Sequence, residues 1–229
     1  MIEALIGQGI NVNITLIFSL DQYVATVDAY LKGLNAALHN EKDLSRIRSV
    51  ASIFVSRIDS TIDKMIEEKI PTEPSELAQA KLKSLQGQAA VANCKVIFQR
   101  FYQLFSSESF KALTKKGANV QRVLWASTGT KNSEYSDIKY VTELIADQTV
   151  NTLPEKTIQA FLDHGDPAIA LTSQTSDGQE AIDELRGFGI DINEVCLKLL
   201  KEGVAAFEKS FDELMTSIDT KAKSLSLKP

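Results

Sequence analysis

Residues 11–38 read NVNITLIFSLDQYVATVDAYLKGLNAAL. The stretch Asn11 to Phe18 is short, apolar and β-branched, as a buried strand is. The remainder has helical spacing, with Tyr23, Val27, Tyr30, Leu31 and Leu34 on one face and Asp21 placed to cap the start. A strand that empties directly into an amphipathic helix is the unit of a parallel sheet, because parallel neighbours need a long connection and a helix is the usual one.

The unit recurs. Ser49 to Val55 (SVASIFV), Arg122 to Ala126 (RVLWA) and, more weakly, Thr149 to Leu153 (TVNTL) read as further strands, each followed by a polar turn and helical periodicity. After the second, RIDSTIDKMIEEKI is helical until Pro71 and Pro74 interrupt it, and a longer helix is expected from about Glu76 to Phe105. The third leads through TGTKNSEYSD to DIKYVTELIA, with Asp137 as the expected N-cap. The fourth leads to LPEKTIQAFLDHG, where Pro154 suits the first turn and Gly165 the end. The fold class is therefore α/β, built as residues 1–175, with a helical segment over 176–229.

In that last segment Leu200, Val204, Phe207, Phe211, Leu214 and Ile218 recur at steps of three and four. The stripe is expected to dock on the chain's own sheet layer, with a partner-binding helix as the alternative. A closed (β/α)8 barrel needs eight such units over about 250 residues. Only four are read here, and the opening MIEALIGQG looks like the end of a crossover helix. Both features suggest a chain that starts partway through a fold.

Composition excludes several functions. The chain has 229 residues, 44% hydrophobic, and a net charge of −5, with no basic stripe interleaved with aromatics, so nucleic acid is not an expected partner. Neither a secretory signal nor a run of transmembrane length is read, so no membrane partner is expected, and the sequon Asn13-Ile14-Thr15 carries no meaning as one. Cys94 and Cys196 stand outside any metal or redox spacing and read as idle thiols of a reducing, cytoplasmic compartment. GQGINV lacks the third glycine of a dinucleotide fingerprint, and GxxxxGK[ST], HExxH and GxSxG do not occur. No metal or cofactor is expected.

In parallel α/β folds ligands meet the carboxyl ends of the strands. Asn13 and Thr15 share one face of the first strand, either as a polar core layer or as ligand contacts. The second strand holds Ser52, with Arg57 just beyond it, either pairing with Asp59 or Asp63 or clamping a phosphate. The third, QRVLWASTGTKN (121–132), empties into Ser127, Thr128, Gly129, Thr130 and Lys131, either a plain loop or an anion cup. Three successive strands ending in groups suited to sugar hydroxyls and phosphate favour the ligand reading. His39 and His164 sit at helix ends and read as solvated or capping side chains.

GINVNITLIFSLDQY, SVASIFVSRIDSTID and RVLWASTGTKNSEYSDIKYVTELIADQTVNTLPEKTIQAFLDHG together resemble the carboxyl-terminal portion of transaldolases, of the branch found in cyanobacteria and actinobacteria. The resemblance implies the carboxyl-terminal half of a (β/α)8 TIM barrel of the class I aldolase type, with the four strands as numbers five to eight and a helical C-terminal extension. It implies a cofactor-free transferase of the pentose phosphate pathway. A dihydroxyacetone unit would pass from sedoheptulose 7-phosphate to glyceraldehyde 3-phosphate, through a Schiff base on a strand-borne lysine, giving erythrose 4-phosphate and fructose 6-phosphate.

By the same resemblance, Asn13 would bond the Schiff-base intermediate and Thr15 would hold a proton-relay water. Ser52 would contact substrate hydroxyls, and Arg57 and Ser127 the phosphate. Where other branches place an arginine two residues past that serine, this chain has Gly129, leaving Lys131 as the second cation. The lysine and acid/base segments are expected before Met1. Neither Lys95 nor Lys131 sits in the nucleophile motif, so the chain alone is expected to turn over little. The alternatives are a non-catalytic sugar-phosphate-binding or assembly fragment, self-associating or paired with a complementing amino-terminal half, and a fructose 6-phosphate aldolase.

Overall fold

The computed structural model describes residues 1–226. A short helix α1 (Ile2–Gly7) precedes strand β1 (Val12–Ile17), and helix α2 (Leu20–His39) leads on to β2 (Ser49–Phe54). Helix α3 (Ser56–Lys69), α4 (Glu76–Ser84), α5 (Ala89–Phe105) and α6 (Glu108–Thr114) separate β2 from β3 (Gln121–Ala126). Helix α7 (Lys139–Thr142), β4 (Thr149–Asn151), α8 (Glu155–His164), α9 (Gly178–Gly187) and α10 (Ile192–Ser226) complete the described chain.

The strands form one parallel sheet in the order β1-β2-β3-β4, so each crossover moves one place along it. The sheet is open, with β1 and β4 as its edges.

Register divides the sheet into two unlike faces. Ala51, Ile53, Val123 and Trp125 are fully buried beneath the helices, and the Trp125 indole donates to the Leu144 carbonyl at 3.0 Å. On the other face, Asn13 pairs with Val50, Val50 with Arg122, and Leu124 with Val150. There Asn13, Thr15 and Arg122 are exposed, and Val50, Leu124 and Val150 are half-buried. Parallel sheets are ordinarily covered on both faces; here the second face is open at Asn13, Thr15 and Arg122, while Ser52 and Phe54 on it are buried.

Three local expectations are corrected. Helix α2 is capped by Ser19 instead of Asp21: Ser19 Oγ accepts from the Gln22 N–H at 3.2 Å, and Gln22 Oε1 accepts from the Ser19 N–H at 3.1 Å. This reciprocal box satisfies two end groups, which a carboxylate already inside the first turn cannot. The single helix expected over 76–105 is two, because Gly87 takes φ +69 in the turn between them. Asp137 caps nothing and faces His164 at 3.0 Å instead.

The docking expected of the final segment holds only for the start of α10. Ile192, Val195, Cys196 and Leu199 are buried, and Gly203 lies so close to Leu16 that a Cβ there would come within 2.9 Å of it. Beyond that point Val204, Phe207, Phe211, Leu214 and Ile218 are exposed. The helix outruns the body it packs on.

Candidate functional site

Of the polar groups expected at the strand ends, the structure joins Asn13 and Ser52 directly. Ser52, almost fully buried, donates its hydroxyl to Asn13 Oδ1 at 2.6 Å. That bond engages the Asn13 carbonyl and leaves its amide NH2 as a donor on the bare face. Thr15 lies on the same face, one strand repeat nearer the carboxyl end. After Ile14 the register with β2 slips, and Leu16 takes φ 60 to make the bulge.

At the end of β3 the chain bends sharply, with Ser127 at φ 56. A non-glycine residue held in the left-handed region costs on the order of 1–2 kcal/mol and persists only where surrounding bonds hold it. Here the Ser56 N–H donates to the Ser127 carbonyl at 3.0 Å, and the two serine hydroxyls stand 3.2 Å apart. Ser56, fully buried as the first residue of α3, was not singled out in the sequence. Its signal is position alone, since it opens the helix directly after a strand.

The hydroxyl cup is smaller than the sequence suggested. Thr128 is buried and donates within 2.9 Å to Asn151 Oδ1 and the Thr152 carbonyl, while Thr130 donates to the Ser136 carbonyl. Both threonines hold the loop. Of the hydroxyls in this stretch, Ser127 is the one at the strand end beside Ser56.

Arg57 does not pair with Asp59 or Asp63. Its guanidinium lies over the Phe54 ring at 5.4 Å, and among the described residues it makes no ion pair. The ammonium of Lys131 is held below the usual lysine range, first by partial burial and then by the Arg57 charge. Lys131 also lines a hollow together with Asp59, Asp63 and Glu67, without forming an ion pair with them among the described residues.

Asp59 and Asp63 have another task. Asp59 accepts from the Ala90 N–H and the Tyr140 hydroxyl, both at 2.7 Å, and Asp63 from the Gly87 N–H and the Tyr135 hydroxyl, both at 2.8 Å. The pair ties α3 to the turn before α5 and to the loop carrying Lys131. Burial pushes the Asp59 carboxyl up to about 6 and raises that of Asp63 as well. Spacing within α3 shows the two carboxylates one turn apart, but their tyrosine partners lie 72 and 81 residues away.

Lys95 is engaged elsewhere, with Nζ 2.6 Å from Asp177 Oδ2. None of the described strands carries a lysine. Among the described residues no group of His, Cys, Asp or Glu is placed to hold a metal. No described helix is long and apolar enough to cross a membrane. A hollow of about 840 Å³ lies on the bare face toward the amino ends of the strands, lined by Asn11, Asn13, Arg48, Val50, Arg122 and Gln148. Asn13 thus borders this hollow, which Arg57, Ser127 and Lys131 do not line.

The described chain is thus an α/β protein built on one parallel sheet with helices packed on one face. The chain belongs to the transaldolase/fructose-6-phosphate aldolase family, whose model matches residues 1–218. It is 44% identical over 226 residues to a transaldolase of Trichodesmium erythraeum, covering 98% of this chain and 60% of the relative. It is 44% identical over 228 residues to transaldolase 2 of Nostoc sp., with the same coverage of each. It is 47% identical over 217 residues to a transaldolase of Mycolicibacterium smegmatis, covering 93% of this chain and 56% of the relative. The chain thus spans a little over half the length of these relatives.

Proposed function

We propose that this chain is the carboxyl-terminal half of a transaldolase barrel, with residues 1–175 supplying strands five to eight and 176–229 a helical extension. The activity is transfer of a dihydroxyacetone unit between sugar phosphates in the cytoplasm, from sedoheptulose 7-phosphate to glyceraldehyde 3-phosphate. The observation that supports the reading is the 2.6 Å bond from Ser52 to Asn13 on the open face of the sheet, with Ser127 held beside Ser56 where β3 ends and the Arg57 charge felt at Lys131.

In this reading the phosphate of the ketose sits between Arg57 and Lys131 and accepts from Ser127. The anchor fixes the distance from phosphate to reacting carbon, so binding energy far from the bond being broken orients the near end. Asn13 donates its amide to an oxygen of the three-carbon unit, while Ser52 holds that amide in place. Thr15 positions the water that carries protons to and from the intermediate. The imine itself forms on a lysine that the four strands do not carry, with loss of one water from the ketose carbonyl.

The absence of a strand-borne lysine favours a second reading for the chain by itself: a sugar-phosphate-binding fragment that completes a site with a complementing amino-terminal half. Reductive trapping separates the two. Borohydride added with fructose 6-phosphate reduces any imine to a stable amine, visible as added mass. No adduct is expected on this chain alone, with turnover appearing once a separately expressed amino-terminal half is added. An adduct on this chain would overturn the division of labour. Release of free dihydroxyacetone without an acceptor aldehyde would favour an aldolase. Binding of fructose 6-phosphate, followed by calorimetry on the complemented pair, is expected to weaken about 10–100-fold in Arg57→Ala. Unchanged affinity would sink the phosphate role.

A further inference from the structure

Ser56, the first residue of α3, meets Ser127 through its backbone and through its side chain. Its N–H donates to the Ser127 carbonyl at 3.0 Å, and its hydroxyl oxygen stands 3.2 Å from that of Ser127. The Val55 N–H donates to the Ala126 carbonyl at 2.9 Å, so backbone pairing continues past Phe54 and Ala126, the last residues paired between β2 and β3. The strained backbone of Ser127, at φ 56, is therefore held by the residue that also meets its side chain.

A bond between two hydroxyls can run either way, because each has one proton to give and lone pairs to receive one. Here the surroundings choose the direction. Ser56 is 1% exposed, and among the described residues its hydroxyl has no partner other than Ser127 Oγ. The Ser60 hydroxyl, at 3.0 Å, donates to the Ser56 carbonyl and leaves the side chain untouched. With Ser127 as the donor, the Ser56 proton would be buried without an acceptor, at the desolvation cost of an unpaired group. Ser127 is only half-buried, so its own proton can turn outward without that cost.

We infer that Ser56 is a positioning residue for ligand binding: its hydroxyl donates to Ser127 Oγ, which leaves the Ser127 proton for the phosphate of the substrate. The inference rests on the phosphate role proposed above for Ser127. A hydroxyl that accepts a bond becomes a stronger donor in turn, so Ser56 adds to the grip of Ser127 without touching the ligand.

Two measurements test it. In the full chain without ligand, Ser127→Ala strands the buried Ser56 proton, so its urea midpoint is expected to fall below that of Ser56→Ala, and adding Ser56→Ala is expected to bring the midpoint back up. A double variant no more stable than Ser127→Ala would overturn the direction of the bond. In calorimetry of fructose 6-phosphate on the complemented pair, Ser56→Ala is expected to weaken binding about three- to tenfold, and to have no further effect once Ser127→Ala is present. Binding unchanged in Ser56→Ala but weakened in Ser127→Ala, or losses that multiply in the double variant, would overturn the positioning role and leave the phosphate reading standing. Unchanged binding in both Ser127→Ala and Arg57→Ala would remove the phosphate reading, and the positioning role with it.

Discussion

Ser127 holds a conformation that its residue type disfavours, at the point where β3 turns toward the candidate anion site. Replacing it with glycine removes the crowding at Cβ and the hydroxyl together. Ser127→Gly is expected to raise unfolding stability by about 1 kcal/mol in urea while weakening sugar-phosphate binding about tenfold. Ser127→Ala should weaken binding without the gain in stability, so the two variants separate strain from hydrogen bonding.

Asp59 gives the residue scale a pH signature. Its folded carboxyl titrates at about 6, first because burial disfavours the charge, with the Tyr140 and Ala90 hydrogen bonds pulling the other way. An acid whose folded value is raised binds its proton more tightly when folded. It therefore stabilises below the unfolded value of about 4, and that contribution is lost as pH rises through about 6. Asp63 is raised for the same reason and acts in the same direction. Asparagine at 59 still accepts from Ala90 and can donate to the Tyr140 oxygen. Asp59→Asn is therefore expected to flatten the fall in stability between pH 4 and 7 by on the order of 2 kcal/mol. Equal slopes in urea titrations of the two proteins would show that this carboxyl is not the source.

At the scale of elements, the α4–α5 turn and the loop after β3 are one device. Gly87 sits at φ +69 and donates to Asp63, and a Cβ there would stand 2.7 Å from the Tyr135 ring that donates to the same carboxylate. Gly87→Ala combines backbone strain with displacement of Tyr135, and a loss of about 1–3 kcal/mol is expected. Because Tyr135 follows Lys131 in the same loop, affinity for sugar phosphate should fall as well. Stability lost with affinity unchanged would separate the turn from the site. The helix boundary here was not readable from 76–105 because periodicity persists across the break, and only the tertiary need to reach Asp63 selects a left-handed glycine.

For the whole molecule, the governing fact is that one face of a parallel sheet is covered and the other is bare. Backbone groups on β1 and β4 that face outward lack a neighbouring strand, while β2 and β3 are paired on both sides. Amide hydrogen exchange should therefore be slowest in β2 and β3 and faster by orders of magnitude along β1 and β4. A complementing half that closes the sheet should slow both edges together. Uniform protection of all four strands in the isolated chain would mean that the edges are covered in another way.

Much of this was legible in the residues alone, and for a definite reason. Strand identity follows from periodicity, which is local, so the α/β class and all four strands could be read from hydrophobic spacing, the strands within a residue or two of their ends, whereas the helices between β2 and β3 and the short α7 departed from their expected bounds. Asn13, Thr15, Ser52, Arg57, Ser127 and Lys131 could be named as candidates because ligands of parallel sheets meet strand ends. What only the tertiary structure decided were pairings across long separations: Ser52 on Asn13, Ser56 on Ser127, and Asp59 and Asp63 on their tyrosines in place of Arg57. The same holds for the point at Gly203 where α10 leaves the body, since spacing shows that a face is apolar but only packing decides what it meets.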